Sequence, residues 1–302
     1  MKKLLEGRCL VLDGGLATEL ELRGIDLGGP LWSARCLADQ PEAIRDVHLD
    51  YFRAGADIAT TASYQASYPG FARIGLDAKR TTALLHRSVS LAREASEIAE
   101  AATGTPRFVA ASIGCYGAYL ADGSEYRGDY GLSVDQLIDW HRPRLDALIE
   151  AEPDLLACET IPCIHEVEAL VRLLEDSPIP AWISVSCKDE SLLRHGDRIL
   201  DAVEVANACC PVIAFGVNCT APDHIEGLVR TLHRHATKTI VAYPNSGEGW
   251  DATRKSWVGR ASDFGWTAMT RTWRDAGASW IGGCCRTTPA TIREMARAFD
   301  SL

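Results

Sequence analysis

The sequence predicts an α/β protein, a single (β/α)8 TIM barrel running over residues 1–302, and three observations predict it. Short β-branched or apolar runs alternate eight times with longer stretches whose apolar residues recur at helical spacing, the pattern of repeated βα units. No Pro/Ser-rich linker or shift in composition separates those units, so nothing divides the chain, although 302 residues would be enough for two domains. The first βα turn reads Asp13-Gly14-Gly15 and lacks the G-x-G-x-x-G spacing of a dinucleotide fold, which leaves an open doubly wound sheet as the weaker alternative.

Taken in order, the strands are expected at Cys9–Gly15, where Leu10-Val11-Leu12 run into two glycines, at Asp57–Tyr64, and at Arg107–Gly114. Asp154–Thr160, Ala181–Cys187, Val212–Cys219, Thr239–Asn245 and Trp280–Cys285 complete the set. Between the first two, Pro41–Ala54 reads as an amphipathic helix. Ile44, Val47, His48, Tyr51 and Phe52 share one face, Pro41 opens it and Gly55 follows its end. After the eighth strand, Thr288 caps a helix opened by Pro289, with Ile292, Met295, Ala296 and Phe299 on one face. Barrel chemistry sits on the loops after the C-terminal strand ends. Two of these loops are long and rich in Gly, Tyr and Asp: Cys115–Ser133, and Ser246–Arg260 with its Trp250 and Trp257. Both are expected to cover a site.

A chain that is 47% hydrophobic and 24% charged is neither disordered nor fibrous. Its net charge of −10 argues against nucleic acid or an anionic membrane as partner and suits a cationic small molecule. No apolar run approaches the ~18 residues of a membrane span. Met1-Lys2-Lys3-Leu4-Leu5-Glu6-Gly7-Arg8 meets charge too soon for a secretory signal, so a cytoplasmic location is expected. Eleven cysteines in that reducing compartment do not imply a disulfide framework.

Three of these thiols fall at strand ends. Cys219 closes the sixth strand in Val217-Asn218-Cys219, and Cys284-Cys285 close the eighth in Gly282-Gly283-Cys284-Cys285-Arg286. Both strands are even-numbered, and alternate strands contribute to one layer of a barrel interior, so the sulfurs can converge at its mouth. Neighbours in a regular strand point to opposite faces, but Gly282-Gly283 leave the backbone free to bulge or turn. Three thiolates with one open position suit a catalytic zinc site. The competing reading is three buried apolar cysteines, since Cys-Cys is not a standard metal spacing. Cys209-Cys210, before Pro211, reads as packing, as do Cys9, Cys36, Cys115, Cys158, Cys163 and Cys187.

Together with Leu12-Asp13-Gly14-Gly15, the Asn218-Cys219 and Gly282-to-Arg286 motifs resemble the homocysteine S-methyltransferase family over nearly the whole chain. Other stretches are similar to its bacterial branch that uses S-methylmethionine: Leu31–Ala34, Ala62–Ala66, Tyr116–Tyr130, Ala157–Thr160 and Tyr243–Glu248. The resemblance implies a zinc ion held by Cys219, Cys284 and Cys285, with homocysteine and a sulfonium donor as partners. No cobalamin- or folate-binding module follows residue 302, which disfavours cobalamin-dependent methionine synthases.

The chemistry agrees with that implication. A free thiol of pKa ~8.5 is mostly protonated at neutral pH, and zinc deprotonates a coordinated thiol. Three protein thiolates and a substrate thiolate leave the cluster formally at −2, keeping electron density on sulfur instead of activating water. Asp13 and Glu159, ending strands 1 and 4, can accept hydrogen bonds from the homocysteine ammonium, the role the resemblance also implies. The Gly14 and Gly15 amides are candidates for its carboxylate. Asn218 is expected behind the zinc or as an oxygen ligand when substrate is absent, and Asn245 and Glu248 are similar to family positions that line the site. Trp32, Tyr64, Tyr116 and Tyr119 are candidate cation–π partners for the donor. His48 receives no role. Within the family, variants that use betaine as donor or selenocysteine as acceptor are the alternatives; a barrel metallohydrolase is disfavoured because no histidine falls at an expected strand end, and zinc storage or thiol redox sensing would need exposed thiols.

Overall fold

The eight central strands, all paired in parallel, close on themselves in the computed structural model, which describes residues 5, 7–28, 31–251, 256–259 and 265–299. They are β1 (Leu10–Val11), β2 (Ile58–Thr60), β3 (Phe108–Gly114), β4 (Leu155–Ile161), β5 (Ala181–Val185), β6 (Val212–Asn218), β7 (Thr239–Tyr243) and β8 (Trp280–Ile281). The ladder runs from β1 through β8, β7 and onward to β2, and a parallel bridge between Leu12 and Ile58 joins the two ends. Helices lie between successive strands, which makes the molecule a (β/α)8 TIM barrel.

Two cores explain the closure. Leu10, Leu12, Ile58, Phe108, Ala110, Leu155, Ala157, Trp182, Ala214, Val241 and Trp280 fill the barrel interior, and a larger cluster packs strands against helices. Trp182 and Trp280 meet edge-on with centroids 6.1 Å apart, supplying much of the interior volume. Side chains alternate along a strand, so the inward series Phe108, Ala110 continues to Ser112, and Leu155, Ala157 continues to Glu159. A polar layer thus lies directly above an apolar one.

The helix Pro41–Ala54 forms as its pattern predicts and ends at Gly55 with φ of 110°, and Thr288 caps the helix Pro289–Arg297 by accepting from Thr291 N–H. Several expected strands are too long at their C-terminal ends. Regular pairing stops at Val11, Thr60, Val185, Asn218, Tyr243 and Ile281. Cys219, for example, already has φ of 47°, outside any strand conformation. The packing assigned to Cys9 and Cys210 is corrected: both are exposed, one entering β1 and the other in the turn before Pro211, whereas Cys209 is buried.

His48 is fully buried, and neither ring nitrogen has a partner. Burial pulls its pKa down to about 4. The folded state therefore excludes a proton that the unfolded chain takes up below its ordinary value near 6.5. The stability held above that value is lost as pH falls through about 4, to a total of about 3 kcal/mol. Denaturant unfolding of His48→Leu should show a flatter pH profile between those limits than wild type; equal slopes would show that the ring is not the titrating group.

Candidate metal centre and substrate cavity

Cys219, Cys284 and Cys285 converge at the C-terminal mouth, with their sulfurs all within 4.8 Å of one another. Cys219 Sγ lies 3.7 Å from Cys285 Sγ, and Cys284 Sγ lies 4.0 Å from Cys285 Sγ. Two sequence neighbours can share a site because β8 has ended before them. Cys284 and Cys285 stand in a turn, with Cys284 N–H donating to Pro244 O at 2.8 Å and Gly283 N–H donating to Asp13 O at 3.0 Å. Gly282 and Gly283 are required by this crossing. A Cβ on Gly282 would lie 2.6 Å from Leu12 Cβ, and one on Gly283 2.2 Å from Thr287 Oγ1. Asn218 ties the cluster to β4: its amide oxygen accepts from Thr160 N–H at 2.8 Å, and its NH2 reaches Cys284 Sγ at 3.8 Å.

The three thiols do not titrate alike. Bonds from Cys284 and Cys285 hold the Cys219 thiol well below its usual range despite burial, with Tyr126 adding to the effect. The same bonding to Cys219 pushes Cys284 and Cys285 up. A cation at the centre removes this competition by stabilising all three thiolates.

Beside the thiols is a cavity of about 230 Å³ lined by Gly14, Gly15, Trp32, Thr60, Tyr64, Ser112, Glu125, Tyr126, Glu159, Tyr243 and the three cysteines, among others. Asp13 lies just behind this wall, 3% exposed, where Thr60 N–H donates to its Oδ2 at 2.8 Å and Thr60 Oγ1 to its Oδ1 at 3.0 Å. Burial pushes its carboxyl well above the usual range against those two bonds, and the charge of Glu159 adds to the rise. Glu159 accepts from Ser112 Oγ through Oε1 and from Tyr243 OH through Oε2 at 3.0 Å. Trp182 Nε1 in turn donates to Tyr243 OH at 2.9 Å, anchoring this polar chain in the interior core. Burial pushes Glu159 up to about 7. Burial also pushes Glu125 up to about 8, with help from the charge of Cys219.

Other sequence-selected residues are engaged within the protein or stand away from the cavity. Gly15 N–H is taken by Thr287 O at 3.1 Å. Asn245 accepts from Gly247 N–H at 2.9 Å, and Glu248 pairs with Arg286 at 3.0 Å; neither lines the cavity. Tyr116 and Tyr119 are corrected as donor-facing aromatics. The helix Tyr116–Leu120 turns them into a cluster with Trp140, at centroid distances of 5.1 and 5.7 Å, and away from the cavity. Tyr126 of the same loop does line the cavity, with its OH 3.6 Å from Cys219 Sγ. Of the two expected covering loops, 115–133 supplies Ala121, Gly123, Glu125 and Tyr126 to the cavity. The other forms a hairpin, Gly249–Asp251 with Ser256–Val258, and contributes no cavity residue among those described; Arg260 and residues 252–255 lie outside the described residues.

Beneath the 115–133 loop is a buried ionic group with no obvious trace in the sequence. Arg144 donates to Gly114 O and, at 3.4 Å, to Tyr64 O; His141 Nε2 meets Glu166 Oε1 at 2.8 Å; and Tyr116 N–H donates to that same oxygen at 2.6 Å. Buried charges are retained only with such partners, and here they fix the root of the loop and the Tyr64 backbone.

Fold and site together define a class: barrel enzymes that gather three thiols into a metal-competent centre beside a cavity walled by carboxylates and aromatic rings. Within that class the chain belongs to the homocysteine S-methyltransferase family, whose family model matches residues 10–299. It is 49% identical to the homocysteine S-methyltransferase YbgG of Bacillus subtilis, over 97% of this chain and 95% of the relative. It is 45% identical to a selenocysteine Se-methyltransferase of Brassica oleracea, over 100% and 92% of the two chains. The metallated form of the homocysteine methyltransferase MmuM from Escherichia coli superposes with a TM-score of 0.87 at 45% identity, covering 98% of each chain. The protein is accordingly a methyltransferase. No described helix is long and apolar enough to cross a membrane.

Proposed function

We propose that the protein is a cytoplasmic, zinc-dependent enzyme whose single barrel transfers a methyl group from S-methylmethionine, or secondarily S-adenosylmethionine, to homocysteine, giving methionine. The observation that carries the reading is the all-sulfur donor set beside two hydrogen-bonded carboxylates. Thiolates bound tetrahedrally at a Zn–S distance near 2.3 Å lie about 3.8 Å apart, which the 3.7 and 4.0 Å sulfur separations match. Soft sulfur donors also favour zinc over magnesium or calcium, and the cluster, which among the described residues includes no His or carboxylate, argues against hydrolysis through activated water.

Zinc, when bound, supplies deprotonation of the acceptor thiol while leaving it electron-rich. The chain's own residues do the rest. Asp13 and Glu159 hold the homocysteine ammonium, with Thr60, Ser112 and Tyr243 fixing their oxygens. Trp32, Tyr64 and Tyr126 offer aromatic faces to the donor cation. The thiolate electron pair forms the new S–CH3 bond while the old one breaks with its pair on the donor sulfur, so no proton moves in the transfer. Positioning is most of the catalytic requirement.

The reading is tested by methionine formation from homocysteine with each donor in turn. S-methylmethionine should give the highest kcat/KM and S-adenosylmethionine a lower one. Betaine outrunning both sulfonium compounds would overturn the donor assignment.

A further inference from the structure

One cavity group has no task in the mechanism above. Glu125, in the short turn Ser124–Tyr126, lines the cavity next to Tyr126, the residue whose phenol touches Cys219. Asp13 and Glu159 are each fixed by hydrogen bonds, whereas the Glu125 carboxylate makes no hydrogen bond or salt bridge among the described residues. The arginine two residues on is committed elsewhere: Arg127 donates to Ser124 Oγ at 2.7 Å and pairs with Asp122 at 3.6 Å. Glu21 also borders the cavity, but it is exposed and its charge is screened by water. A half-buried carboxylate without a partner is costly unless something cationic meets it.

Resting on the methyl-transfer reading, we propose that Glu125 is the specificity-determining counter-charge for the donor's sulfonium centre, selecting a cationic methyl donor over a neutral molecule of the same shape. Burial holds the Glu125 carboxyl up at about 8, and an arriving sulfonium favours its ionised form; its place in the cavity wall next to Tyr126 sets that charge on the side of the cavity that the thiols also line. Aromatic faces alone attract a cation only modestly; a carboxylate in a partly desolvated cavity adds a direct Coulombic attraction.

The chemistry fixes the sign of the kinetic effect. Thiolate and sulfonium become two neutral thioethers, so the donor's positive charge disappears as the methyl moves. A carboxylate beside the sulfonium stabilises the bound donor more than the transition state. It lowers the donor KM without raising kcat, and it releases the demethylated product.

The test uses the zinc-loaded enzyme and two probes: S-methylmethionine, and homoleucine, in which a neutral CH replaces the sulfonium sulfur. Glu125→Gln should raise the S-methylmethionine KM on the order of ten- to thirtyfold, while kcat at saturating donor holds or rises. The inhibition constant of homoleucine against donor, the homocysteine KM and the zinc content should all stay near wild type. Glu125→Asp, keeping the charge on a shorter arm, should fall between the two. An equal weakening of both probes would overturn the proposal, because Glu125 would then serve the amino-acid end or the packing of the loop; so would unchanged donor binding. If the wild-type enzyme binds homoleucine as well as S-methylmethionine, the donor reading falls and this inference with it. Discrimination that survives in Glu125→Gln removes the inference alone.

Discussion

Cys219→Ser and Cys284→Ser should each lose methyl transfer to below detection, on the order of 10³-fold or more, and lose their metal at the same time. A serine hydroxyl has nearly the size of the thiol but is a hard, protonated donor, so two thiolates remain where three are needed to retain zinc. Neither change should unfold the barrel. Closure depends on the parallel ladder and the Trp182–Trp280 core below the site, and the sulfurs sit above both. Cys210→Ser provides the control, because that thiol is exposed at the opposite end of β6 from the cluster and should change neither quantity. Metal content measured beside activity separates the alternatives. Full occupancy in an inactive Cys284→Ser would remove this residue from the ligand set.

The barrel was legible because its signal is distributed: eight alternations of strand and helix patterns survive errors at any one boundary. The thiol cluster was legible for a different reason. It depends on three residues at the ends of two even strands, and the two glycines before Cys284 announce the turn that lets neighbours converge. The failures lie where local pattern and tertiary contact part company. Tyr116, Tyr119 and Tyr126 occur in one loop, and nothing in composition separates them. The short helix Tyr116–Leu120 packs the first two on Trp140, and the next turn leaves Tyr126 against Cys219. Strand ends were overrun because an apolar run does not record where the backbone leaves the ladder, as at left-handed Cys219. The Ser112–Glu159–Tyr243 layer left a usable signal. Continuing the period-2 interior series one step beyond Ala110 and Ala157 reaches Ser112 and Glu159.

That layer carries the second large effect. Glu159→Gln should lower kcat/KM for homocysteine roughly 10²- to 10³-fold, the size expected when one partner of a desolvated charge pair is neutralised, with zinc content unchanged. Gln keeps the shape and an oxygen that can accept from Tyr243 or Ser112, but it places an NH2 against donors and against the substrate ammonium. Asp13→Asn should act in the same direction and less strongly, since Thr60 already occupies both of its oxygens. Acidity offers an independent reading. Burial holds Glu159 up at about 7, and an arriving ammonium favours the ionised form. Homocysteine affinity supplied by this group should therefore be complete above about pH 7 and fall as pH drops below it. Ionisation of the substrate thiol at the metal adds its own pH dependence, but that contribution is common to wild type and Glu159→Gln, so the difference between their profiles isolates the carboxylate. Parallel profiles, or loss of zinc from Glu159→Gln, would instead make Glu159 a structural support for the thiol centre, with the ammonium held by Asp13 alone.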